Sequence, residues 1–147
     1  MRRALRQRAE RAGRRRLMAH EAEVRDELGR LLARLPEATG VLAATVDGLV
    51  IAHEASDVHA ETLAALSSAG LGIGLRLSDA AGDRSFRELL VRGEQGYVAL
   101  YAAGPACVLT VLAGPRVNVG RLHMEARRSG AYVAHLLAGG ADDREDA

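Results

Sequence analysis

The segment at residues 106–113 is apolar on both sides. Cys107, Leu109 and Val111 alternate to one face of an extended chain, and Val108 and Leu112 to the other. The segment at 41–46 repeats the pattern, with Val41 and Ala43 opposed to Leu42 and Ala44. A strand with two apolar faces belongs in a sheet that is covered above and below. An open sheet with one wet face is therefore excluded, and the chain must supply helices for both sides.

Three helices are readable. Val24, Leu28, Leu31 and Leu35 recur 4, 3 and 4 residues apart, which is one face of a helix over residues 18–35. Pro36 ends it, because a residue before proline avoids the helical region. A second helix is expected over 58–80, capped by Asp57, with Leu63, Leu66, Gly70, Ile73 or Gly74, and Leu77 at helical spacing. It carries a long patch of small residues, Ala64 to Gly74, which is predicted to line its exposed side. A third helix spans 117–137 with Leu122, Ala126, Ser129, Val133 and Leu136 inward, and Gly139-Gly140 is its stop.

The remaining apolar runs are strands. Residues 41–46 and 49–54 flank Asp47-Gly48, a pair that supplies the positive φ of a two-residue hairpin loop. Strands at 86–92, 97–103 and 106–113 follow, separated by turns at Gly93–Gly96 and Gly104-Pro105. The order is α-β-β-α-β-β-β-α. The expected fold class is α/β, with a five-stranded antiparallel sheet, the first and third helices on one face and the second helix on the other.

That arrangement leaves a deficit. Five strands make a sheet roughly 24 Å wide, and one helix with its side chains covers about 10 Å. The face that receives only the second helix stays about half bare. A second copy, or another protein, is expected to complete it, and small residues would let two helices approach closely. The strand at 86–92 suits the same assembly, because an unpaired sheet edge is a liability that pairing removes.

At 147 residues the chain reads as one domain. Its net charge of +1 hides two tails of opposite sign. Residues 1–17 form a basic arm with Arg2, Arg3, Arg6, Arg8, Arg11, Arg14, Arg15 and Arg16 against a single acid, Glu10. Residues 139–147 form an acidic tail, expected to be disordered, and 18–138 form the folded body. None of the 20 basic residues is lysine. A single cysteine, Cys107, excludes an intrachain disulfide and a Cys-rich zinc site. No apolar run approaches the ~20 residues of a membrane span, and the basic start lacks a following apolar segment. A protein of a reducing, cytoplasmic compartment is expected.

Catalytic chemistry finds little support. Gly70-Leu-Gly-Ile-Gly74 falls inside a helical pattern and has no lysine, so helix packing explains it better than a phosphate loop. His53, Glu54, Asp57 and His59 are irregularly spaced and match no zinc pattern. Cys107 alternates with Leu109 and Val111 and reads as a buried hydrophobe. Ser67, Ser68 and Ser129 sit on helices, outside any strand–turn–helix elbow. His123 and His135 are expected at the surface. Arg116, Arg121, Arg127 and Arg128 make the third helix basic along part of its length. No catalytic residue, metal or cofactor is expected.

The element order, the Val46-Asp47-Gly48-Leu49 hairpin, the Glu94-Gln95-Gly96-Tyr97 turn, the Leu109–Ala113 strand and the Gly120–Arg128 helix opening resemble the roadblock/dynein-light-chain family, bacterial members in particular. The resemblance spans residues 18–138. It implies a profilin-like sandwich and a dimer joined through the second helix and third strand. It also implies a non-enzymatic role as partner of a Ras-like small GTPase, as regulator or scaffold. The dimer contacts expected on this basis are Leu63, Leu66, Ser67, Gly70, Ile73, Gly74, Leu77, Phe86, Leu89 and Val91. The alternative is a homodimeric scaffold without a GTPase, held to anionic lipid or nucleic acid by the arginine arm.

Overall fold

Val24, Leu28, Leu31 and Leu35 occupy one helix face, and all are buried. The structure is a computed structural model that describes residues 1–55, 57–82 and 85–142. The predicted first helix, 18–35, is the second helix of the structure, and a further helix precedes it. Helix α1 (Arg2–Ala19) and helix α2 (Glu21–Arg34) meet at His20. The basic arm is therefore helical, and the chain turns at its junction with the folded body.

The other elements are β1 (Ala38–Thr45), β2 (Val50–Ala55), α3 (Ala60–Ala80), β3 (Glu88–Gly93), β4 (Gly96–Ala103), β5 (Cys107–Ala113) and α4 (Val119–Asp142). The five strands form one sheet in the order β2-β1-β5-β4-β3, with every neighbouring pair antiparallel. The edges are thus β2 and β3. The two-faced strands are placed as their patterns require. Val41, Ala43, Cys107, Leu109 and Val111 join Val24, Leu28, Leu122 and Ala126 in a core under α2 and α4. Leu42, Ala44 and Val108 join Ala64 and Leu71 of α3 in a second core on the opposite face.

Several local expectations are corrected. The first hairpin has a three-residue loop at 46–48, where two residues were expected. Gly48 N–H bonds Thr45 O at 2.9 Å and Thr45 N–H bonds Leu49 O at 2.8 Å. Gly48 has φ +94°, the left-handed residue that closes such a loop. Thr45 explains the choice, since its hydroxyl accepts from Leu49 N–H at 3.0 Å and donates to Asp47. Asp57 does not cap α3; His59 occupies that position in an extended conformation, without a side-chain cap. Gly139-Gly140 does not stop α4, which continues to Asp142. The predicted tail therefore loses 139–142 to helix, and its remainder at 143–147 lies outside the described residues. At the β3–β4 turn Gly96 is obligatory, because a side chain there would collide with the carbonyl oxygen of Ala113.

The fold buries Glu27 between α2 and α4. Ser129 Oγ donates to Glu27 Oε1 at 2.7 Å, Arg34 Nη2 reaches the same oxygen at 3.1 Å, and Arg30 Nε bonds Glu27 Oε2 at 2.9 Å. Arg34 also bonds Glu125 at 2.8 Å and Ser129 at 2.8 Å. Burial by itself would raise the Glu27 pKa. The hydrogen bonds from Ser129, Arg30 and Arg34 outweigh it and hold the carboxyl below its usual range.

Candidate interaction surface

Strand register defines two neighbouring rows on the α3 face. One row is Leu89, Leu100, Thr110 and Leu42; the next is Val91, Val98, Leu112 and Gly40. Helix α3 lies over the first. Ser67 and Thr110 share a hydrogen bond of 2.7 Å between their hydroxyls. At Gly70 a Cβ would stand 2.8 Å from Leu100 Cδ1, and at Gly74 it would stand 2.7 Å from Phe86 Cε2. The small residues therefore bring α3 down onto its own sheet. Ala65, Ala69 and Gly72 line the exposed side of the helix as expected, whereas Ala64, Ser67 and Gly74 are turned inward. The reason is volume: Leu100 and Phe86 already fill the space beneath Gly70 and Gly74, and no larger side chain fits there without displacing them.

Ala64 and Leu71 lean to one flank of α3, against Leu42, Ala44 and Val108. Leu66, Ile73 and Leu77, spaced 7 and 4 apart, stand on the other flank, beside the Val91–Val98–Leu112 row. Leu66 is 65% exposed, Ile73 57% and Leu77 61%, and Val91 on β3 is 51% exposed. Val98 and Leu112 are half-buried. An open depression of about 540 Å³ between Gly74, Leu77, Phe86 and Leu89 continues this surface at the end of α3. Strand β3 beside it is hydrogen-bonded to the sheet on one side only. The three exposed side chains, the half-bare row and the open edge are contiguous.

Among the residues expected at this surface, Leu66, Ile73, Leu77 and Val91 point outward. Leu63, Gly70, Phe86 and Leu89 are half-buried at its base. Ser67 is turned onto the sheet and hydrogen-bonded to Thr110, and Gly74 is buried over Phe86 at the depression's lining.

The edge strand is fixed from the opposite face by a cluster that sequence reading missed. His123, expected at the surface, is only 18% exposed. Its Nδ1 lies 2.6 Å from the Tyr101 hydroxyl and its Nε2 lies 3.3 Å from Glu88 of β3. Arg127 bonds the same Glu88 oxygen at 2.8 Å. Burial, together with the Glu88 carboxylate, raises the Tyr101 pKa well above its usual value. In the tautomer with its proton on Nε2, His123 accepts a hydrogen bond from the Tyr101 hydroxyl at Nδ1 and offers Nε2–H to Glu88. The cluster pins β3 to α4 and holds the open edge in place.

The other candidates sit apart from this surface. Cys107 is fully buried, and burial pushes its thiol up to about 12. His53 and Glu54 lie on β2, and Asp57 and His59 precede α3. Among the described residues no three His, Cys, Asp or Glu side chains are grouped to hold a metal ion. Gly70 to Gly74 lie inside α3. Arg121 and Arg128 are exposed on α4, as is His135, and Arg116 precedes that helix. Arg2, Arg3, Arg6, Arg8, Arg11 and Arg15 are exposed on α1, whereas the side chains of Arg14 and Arg16 lie outside the described residues. No helix of the described residues is long and apolar enough to cross a membrane.

A five-stranded antiparallel sheet, two helices on one face and a single helix on the other define the roadblock class of α/β sandwich. Residues 24–113 match the Roadblock/LC7 domain family, and the chain belongs to it. It is 32% identical over 118 residues to an uncharacterized protein of Methanocaldococcus jannaschii, across 78% of this chain and 99% of that one. Its fold is similar to the Roadblock/LC7 domain from Streptomyces avermitilis, with a TM-score of 0.72 and 26% identity over 78% of this chain and 97% of that one. It also shares the fold of MglB from Myxococcus xanthus, with a TM-score of 0.73 at 16% identity over 81% and 90% of the two chains. The family read from the order of turns and strands is thus the family of the chain.

Proposed function

We propose that this chain is a non-enzymatic, dimeric regulator or scaffold that binds a Ras-like small GTPase in the cytoplasm. The observation that carries the reading is the apolar surface of Leu66, Ile73, Leu77 and Val91 beside the open edge of β3. A two-fold axis at that edge would pair β3 with its copy, extend the sheet across both subunits and set the two α3 helices side by side. The same residues would then serve both partners, as an isologous interface requires. Membership of the roadblock family supports a GTPase as the further partner.

A binding role also fits the condition of the nucleophile candidates. Cys107 is buried with its thiol held protonated, and Ser67 and Ser129 are committed to interior hydrogen bonds. Any effect on GTP hydrolysis would come from reordering the GTPase's own catalytic groups. The test is capture of small GTPases encoded in the same genome, with GDP and with a non-hydrolysable GTP analogue, followed by a turnover assay. Binding that prefers one nucleotide state is expected. Indifference to nucleotide across all of them would remove the GTPase from the reading.

A further inference from the structure

Helix α1 takes no part in the sandwich. None of its described side chains belongs to either core, and the family match begins beyond it, at residue 24. Its main contacts with the rest of the chain are to α2 and α4. Its 18 residues hold eight arginines and one acid. At 3.6 residues per turn those arginine positions spread around the whole circumference, with no apolar stripe between them. Arg2 and Arg6, and Arg11 and Arg15, stand four residues apart, a spacing at which like charges destabilise a helix. A rod of this kind is held together best by a partner that supplies negative charge on several sides at once.

We propose that α1 is a docking element for double-stranded DNA and lies in the major groove without strong sequence preference. Four features select this partner. A flat anionic membrane meets one side of a helix and would leave the other arginines unused, and α1 lacks the apolar face that lies in a bilayer interface. Single strands are gripped by aromatic stacking, and residues 1–19 contain no aromatic. The major groove of A-form RNA is too narrow for a helix. The B-form major groove, about 12 Å wide, admits a helix of about 10–12 Å and lines it with phosphates on both sides. A helix of 18 residues is about 27 Å long, the span of about eight base pairs. Besides the arginines, only Gln7 and Glu10 can hydrogen-bond base edges, so phosphate contact dominates.

The experiment uses the full chain and a variant with Arg3→Gln, Arg8→Gln, Arg11→Gln and Arg15→Gln. Glutamine keeps the helix propensity, and the exposed positions leave both cores untouched. Binding to a mixed-sequence 20-base-pair duplex is read by anisotropy between 50 and 200 mM salt, and to vesicles containing phosphatidylserine by sedimentation at matched negative charge. With about six phosphate contacts, duplex affinity should fall about 10³-fold over that salt range. The variant should bind far more weakly, with a much flatter salt slope. Three results would overturn the proposal: no duplex binding by the parent chain, duplex binding that survives in the variant, or vesicles bound as tightly as duplex.

Discussion

Replacing Leu66 or Ile73 by aspartate tests whether the exposed flank of α3 joins two copies of the chain. Leu66 is 65% exposed and Ile73 57% exposed in the isolated subunit. Full burial of such a side chain is worth about 1.5–3 kcal/mol, so the exposed share would contribute about 1–2 kcal/mol per copy. A two-fold interface uses each residue twice, which makes the loss about 2–4 kcal/mol for either substitution. The dimer dissociation constant should rise by about 30-fold to 10³-fold. Leu75, 43% exposed and half a turn away on the other flank, provides the control. Leu75→Asp should leave the dissociation constant within about threefold of the parent. All three positions are partly buried in the subunit, so each substitution should also cost its own stability about 0.5–1.7 kcal/mol, least at Leu66 and most at Leu75. Sedimentation equilibrium reads the association and urea denaturation of the monomeric form reads the stability. An unchanged dimer in both Leu66→Asp and Ile73→Asp, or a dimer lost only in Leu75→Asp, would refute the assignment of this flank.

The glycines of α3 should divide by what lies beneath them. Gly72 has open space where a Cβ would go, so Gly72→Ala should stabilise by up to about 1 kcal/mol. Gly74→Leu meets the Phe86 ring and should destabilise by about 1–3 kcal/mol in urea melts, even in a variant that cannot dimerise. Arg34→Ala strips charge partners from Glu27 and Glu125 and should cost about 2–4 kcal/mol. The folded pKa of Glu27 lies below the unfolded value of 4.5. Its contribution is therefore fully present above that value and is lost as pH falls through the folded pKa. Glu27→Gln should flatten this acid limb in melts between pH 6 and pH 3, and an unaltered limb would show that the network does not set it. Cys107, buried with its thiol raised to about 12, should resist iodoacetamide at pH 8 in the native protein and react at the rate of unfolding. Rapid native labelling would contradict that burial.

The layers of this fold were legible because strand alternation has only two outcomes. Once Val41 and Ala43 opposed Leu42 and Ala44, and Cys107, Leu109 and Val111 opposed Val108, the two cores and the need for helices on both faces followed. The buried face of α2 was equally plain, since Val24, Leu28, Leu31 and Leu35 leave it no second apolar side. Terminal details were weaker signals. Asp57 and Gly139-Gly140 are competent caps and stops that the chain passes over, because local preferences of about 1 kcal/mol yield to tertiary context.

Sequence by itself thus determined the order of elements, the family, and the covered and half-covered faces, and it marked β3 as suited to an edge. Only the tertiary structure decided how α3 is turned. Periodicity found Leu66, Ile73 and Leu77 on one face and small residues on the next, and hydropathy alone favours burying the leucines. The space above Leu100 and Phe86 is too shallow for them, so Ser67, Gly70 and Gly74 go down and the large side chains remain on the flank. The Glu27–Ser129 bond likewise joins residues 102 apart in sequence, and the Tyr101–His123–Glu88 chain joins three elements. Such contacts depend on distances between elements, which no one-dimensional spacing encodes.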